Sequence, residues 1–245
     1  MIRTLVICLA AGLAALPVAV SAQIEGNRKP TGFTLRAYET DHRTVNAATP
    51  SHVTLAMTAR CLADNRAEHV RAYLASVPGS EAEIGAYEAF RERIGPCMPR
   101  IDFSEVGNLQ RGRGTLSLGF DHGSLRGALA EAIMREEDTI IDTGRLALGD
   151  EGMYVAERFH GQRSEIPARV FSLGFAGCVM GFNAERIEAL LSTSPASTEE
   201  RDAIMAMVDS FGGCVMEGQT LNIDPSTLRN QMAEVVYYAM SGSAT

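Results

Sequence analysis

The residues in this chain with the clearest chemistry are its cysteines. Cys61 and Cys97 stand 36 positions apart, and so do Cys178 and Cys214, while Cys8 lies alone near the start. A redox-active pair calls for C-x-x-C at a helix start, where the thiol pKa falls. Haem attachment calls for C-x-x-C-H, and structural zinc for cysteine and histidine at close, fixed spacing. The chain has none of these, so no metal and no cofactor is expected. What remains is disulfide formation, which an even number of cysteines implies once a chain is exported.

Other reactive side chains are scattered. His42, His52, His69, His122 and His160 include no pair at i,i+3 or i,i+4, and they read as surface positions rather than catalytic bases. Glu131 and Glu234 recur at matched positions and could work as a carboxylate pair. The plainer reading makes them solvated helix residues or local partners of Arg126, Arg135 and Arg229. Tyr237 and Tyr238, with Met232 and Met240, form either an apolar binding stripe or a packed helix end. Gly112-Arg113-Gly114 is too short for a dinucleotide loop. The acids and glycines of Asp142–Gly152 lack the oxygen-ligand spacing of a calcium loop. No nucleophile elbow or H-E-x-x-H pair appears, and the catalytic residues stay unassigned.

The elements that must position the cysteines occur twice. Shifting the chain by 117 residues superimposes Cys61–Cys97 on Cys178–Cys214 without a gap and matches twelve of 37 positions, among them Pro78/Pro195, Ser80/Ser197, Glu83/Glu200 and Gly95/Gly212. Self-similarity at a fixed offset marks a duplicated structural unit. A second block matches at offset 103, with Asp121/Asp224, Leu125-Arg126/Leu228-Arg229 and Ala130-Glu131/Ala233-Glu234. The change of offset leaves unit one with fourteen extra residues, placed in a surface loop at 100–114.

Each unit reads as four helices. In unit one, helix one runs from Ser51 to Cys61. Helix two, Arg66–Ser76, presents Val70, Tyr73, Leu74 and Val77 on one face, and Pro78 ends it. Ser80 and Glu83 form a capping box opening helix three, in which the serine accepts from a helical N–H and the glutamate reaches back to the cap. Tyr87, Phe90 and Ile94 make its buried stripe, and Gly95 offers a left-handed cap. Helix four, His122–Glu136, starts at an Asp121 cap, and its counterpart, Pro225–Met240, starts at Asp224. If each unit closes on itself, the bonds are Cys61–Cys97 and Cys178–Cys214. Exchange between units would give Cys61–Cys214 and Cys97–Cys178 instead.

The flanking segments set the compartment. Arg3, the apolar run Leu5–Leu16, Pro17 and the small residues Val20-Ser21-Ala22 read as a signal peptide (1–22). The apolar run falls short of the roughly 20 residues a bilayer span needs. Residues 23–50 read as a flexible lead with at most one short strand, 51–138 as unit one, 139–167 as a linker packed across the units, 168–240 as unit two and 241–245 as a tail. A short helix is expected at Met153–Phe159. Without the signal the chain has 21 basic and 30 acidic residues, a formal charge of −9, which argues against nucleic acid as a partner.

This succession of a cysteine ending a helix, a proline, a Ser-x-x-Glu helix, a second cysteine and a Leu-Arg-x-x-x-Ala-Glu helix resembles a family of small exported bacterial proteins with no assigned activity. The resemblance covers about Ser51–Glu136 and Val170–Met240, and it implies export and disulfides but no reaction. The expectation is therefore an all-α protein of two tandem four-helix units, each closed by a disulfide, with a short strand or loop before the last helix. It would be periplasmic or secreted, with no membrane span after signal removal. Its expected role is non-enzymatic: binding a protein or a small apolar ligand between the units. The alternative is a hydrolase using carboxylates beside the 100–114 loop.

Overall fold

The computed structural model describes residues 32–35, 44–102, 120–147, 164, 166–215 and 224–241. The signal segment, most of the 100–114 loop, the expected Met153–Phe159 helix and the stretches just before each Asp cap lie outside them. In chain order the elements are β1 (Gly32–Thr34), β2 (Thr44–Asn46), α1 (Ser51–Ala75), α2 (Glu81–Glu88), α3 (Arg91–Cys97), β3 (Arg100–Asp102), α4 (His122–Glu136), β4 (Ile140–Asp142) and α5 (Thr143–Leu146). There follow α6 (Pro167–Phe182), α7 (Ala184–Leu191), α8 (Thr198–Met205), a 3₁₀ helix (Val208–Cys214) and α9 (Pro225–Ser241). The fold is helical, and two disulfides, Cys61–Cys97 and Cys178–Cys214, close the two units separately. Each closes a loop whose tethering is worth about 3–4 kcal/mol in the chain-entropy account.

The duplication extends to the helix breaks. The expected helices one and two of unit one are joined as α1, but Arg66 leaves helical geometry at φ −144°, ψ 32°. Its counterpart Asn183 sits at φ −130°, ψ 29° and separates α6 from α7. The Asn183 amide donates to the Val179 carbonyl and the Ser210 hydroxyl, which stabilises the break. Helix three is interrupted in both copies, at Phe90 and at Met207, and both side chains are buried. Gly95 and Gly212 are not left-handed caps. Among the described glycines only Gly79 has positive φ. After each interruption the chain makes a further helical turn through the glycine, and that turn carries the cysteine back to its partner.

Ser80 and Ser197 cap as expected, accepting from the Glu83 and Glu200 N–H groups at 3.2 and 3.0 Å. The glutamates reach one residue further than a capping box requires. They accept from Gly79 N–H and Ala196 N–H at 2.8 and 2.7 Å, and both of those residues are left-handed, at φ 77° and 64°. Asp121 and Asp224 cap α4 and α9 through the Ser124 and Thr227 N–H groups.

Two stretches of the lead are strands rather than one. β1 pairs antiparallel with β4, and β2 pairs parallel with β3, the first residues of the inserted loop. One apolar core belongs to unit one, around Leu62, Tyr73, Phe90 and Leu129. The other fills unit two and takes in Leu35 from the lead and Ile141 and Leu146 from the start of the linker. Among the described residues the units meet chiefly where α4 crosses α9; most of the linker expected to pack across them lies outside those residues. The crossing is close because Gly127 has no side chain: a Cβ there would lie 2.1 Å from the Asn230 carbonyl oxygen. Gly127 and Asn230 are counterparts at offset 103, so the helices cross at equivalent residues.

Candidate functional site

The repeated arginines and glutamates of helix four meet across that crossing. Within one helix, Arg126 and Glu131 are five residues apart and face different ways. Each therefore pairs with the other unit. Arg126 Nε donates to Glu234 Oε1 at 2.6 Å, and Arg229 donates to both oxygens of Glu131 at 2.9 and 3.0 Å. The remaining donors return to the arginine's own unit. Arg126 reaches the carbonyls of Tyr73, Leu74 and Ser76, and Arg229 those of the counterparts Leu190, Leu191 and Thr193. Each also touches the helix-three glutamate, Glu83 at 3.2 Å and Glu200 at 3.3 Å.

All six side chains are buried, so the expectation that Glu131 and Glu234 are solvated is overturned. The local half of that reading survives in part, because Arg135 donates to Glu131 from one turn along α4. Burial opposes ionisation of Arg126, but Glu234 and Tyr238 outweigh it and hold the guanidinium charged. Burial likewise opposes ionisation of Glu83. The bonds from Arg169 and Gly79 N–H, with the nearby Arg126 charge, overcome it and lower the carboxyl below its ordinary range. This exchange is structural: its donors are spent on protein acceptors.

Beside it the two halves part company. A cleft of about 620 Å3, including its open mouth, lies between the units. His52, Ala56 and Arg60 of α1 form one wall, and Ala128, Glu131, Ala132 and Arg135 of α4 form the floor, with the exposed Glu136 at the mouth. Pro195, Glu200, Ser226, Arg229 and Asn230 of unit two complete it. The duplication puts a bulkier group at several equivalent places on the opposite side. Arg169 stands for His52, Leu173 for Ala56, Val235 for Ala132 and Tyr238 for Arg135, and the last three are buried. Arg169 there binds Glu83 through two bonds of 2.8 Å. The neighbours follow the same equivalence. Burial opposes ionisation of the Asp121 and Asp224 caps, but their hydrogen bonds to the first turn of each helix overcome it and lower both carboxyls. Arg169 lies near the first cap as His52 does near the second. At the cleft mouth Glu136 is raised above the ordinary carboxylate range by its hydrogen bond to Asp64.

Of the residues singled out from sequence, the four cysteines are bonded in pairs, one within each unit. His52 lines the cleft, His69 is exposed and His122 Nδ1 lies 2.8 Å from the Tyr73 hydroxyl, while His42 and His160 fall outside the described residues. Tyr238 is buried between Arg126 and Glu234, as a packed helix end requires. Sequence reasoning missed the cleft. The available signal was the set of small-for-large differences between copies, Ala56 against Leu173 and Ala132 against Val235. Among the described residues no group of histidines, cysteines and acids is arranged to hold a metal. Compared with family models, curated proteins and solved structures, the chain matches none.

Proposed function

We propose that this chain is an exported, disulfide-closed binding protein that takes a small polar ligand in the cleft between its units. One observation carries the reading: the cleft is open on one side of a duplicated scaffold and occupied by Arg169, Leu173, Val235 and Tyr238 on the other. Packing alone would favour filling both sides, since interiors tolerate few voids. Junctions between structural units are also common places for ligand sites. The lining combines carboxylates, guanidiniums and alanines, which suits a polar ligand better than the apolar one expected from sequence. Two formed disulfides fit an oxidising compartment. No helix among the described residues is long and apolar enough to cross a membrane.

The test copies the filled side onto the open one. Ala56→Leu installs the residue found at the counterpart Leu173. Native mass spectrometry of protein recovered from the periplasm should show a bound small molecule on the unaltered chain and none on A56L. Protein that carries nothing, or carries the same mass in both forms, overturns the proposal. Cell fractionation tests the export half, and recovery of the uncleaved chain in the cytoplasm with all five of its cysteines as free thiols would refute it.

A further inference from the structure

Accepting the cleft as the binding site, we infer that its ligand carries a cationic nitrogen head, a guanidinium or ammonium on an aliphatic stem, which docks on Glu200 as Arg169 docks on Glu83. The filled half of the molecule serves as the template. Glu83 is held by an internal arginine at 3.2 Å, by a backbone N–H at 2.8 Å and by Arg169 through two further bonds of 2.8 Å. Glu200 keeps the first two partners, Arg229 at 3.3 Å and Ala196 N–H at 2.7 Å. Where the second guanidinium would come from, the chain has His52, and no ion pair joins His52 to Glu200. Glu200 is 3 % exposed and lines the cleft. A carboxylate this buried is stabilised by every cation it gains, and its free edge suits a bidentate donor.

The other charged groups around the cleft leave this position to the ligand. Arg229 and Arg135 both bond Glu131, on the α4 side. Arg60 and Glu136 are exposed residues of the wall and the mouth, and Asp224 is not among the residues lining the cleft. Ala56, Ala128 and Ala132 leave room for an aliphatic stem where the filled half has Leu173, Gln231 and Val235.

The experiment is calorimetric titration of the full exported chain with agmatine, its neutral analogue butylurea and the dianion glutarate. Agmatine should bind at least about tenfold more tightly than butylurea, and Glu200→Gln should weaken it by about tenfold or more, as loss of a charge-assisted pair implies. Because Glu200 also contacts Arg229, a second variant protects the test. His52→Arg leaves Glu200 in place and supplies the counterpart of Arg169, so it should abolish agmatine binding while raising Tm. Equal agmatine affinity in H52R overturns the inference. Butylurea or glutarate binding that A56L removes, with agmatine silent, sinks the cation and leaves the cleft standing. No A56L-sensitive heat from any probe sinks both. A Gly-Gly-Arg-Gly peptide then separates the sources. Binding tighter than agmatine points to an arginine presented by a protein, and weaker binding to a free small cation, both consistent with the inference.

Discussion

Gly79 and Ala196 occupy the same left-handed position before helix three, yet only one of them is glycine. A left-handed residue with a Cβ costs roughly 1–2 kcal/mol, against about 0.5–1 kcal/mol of extra chain entropy lost by glycine. Ala196→Gly should therefore stabilise the protein by about 0.5–1 kcal/mol in urea denaturation. The reverse change fails for a second reason: a Cβ at Gly79 would meet the Ile166 backbone nitrogen at 2.9 Å. Carboxylates set the acid limit of the fold. Glu83, Asp121 and Asp224 all have folded pKa values below their ordinary 4.5 and 3.8. A depressed carboxyl contributes stability above its unfolded value and loses it as the pH falls through the folded one. The urea midpoint should thus hold level at neutral pH and fall once the pH drops below about 4.5, and Asp224→Asn should make that fall shallower.

Among the helices, the crossing of α4 and α9 decides most. Gly127 lets the backbones touch, and the close approach brings Arg126 and Arg229 within reach of glutamates on the opposite helix. Gly127→Ala forces its methyl against the Asn230 main chain, which cannot rotate away as a side chain could. It should cost about 3 kcal/mol, as severe overpacking does, and chemical denaturation would measure it. Asn230→Gly, the same position in the other copy, leaves that contact unstrained and should cost much less. The helix breaks at Arg66 and Asn183 need no such contact. They recur with nearly the same angles although the residues differ, so they belong to the repeated architecture rather than to either side chain.

Across the whole molecule the reciprocal arginine–glutamate exchange ties the units together. Removing one partner of a buried pair leaves a charge uncompensated, so Glu234→Gln should cost about 3–5 kcal/mol. Since Glu234 belongs to unit two and Arg126 to unit one, the loss should lower a single calorimetric transition. Two separated transitions would show that the units melt independently. The same two-unit arrangement creates the cleft, whose walls come from both halves.

By itself the sequence determined the repeated cysteine spacing, the serine and aspartate caps and the placement of most helices, because these are local or periodic signals repeated at a fixed offset, while the choice between the two cysteine pairings came from the structure. Ser80 with Glu83, and Asp121 with Ser124, lie within one helical turn of each other, so spacing alone reveals them. The tertiary structure decided which glutamate meets which arginine, across 108 and 98 residues of chain. It also decided that Ala56 and Ala132 open a cleft where Leu173 and Val235 close one. Those outcomes depend on how closely two helices cross, and that distance is set by Gly127 against Asn230, a contact between units that neither repeat records alone.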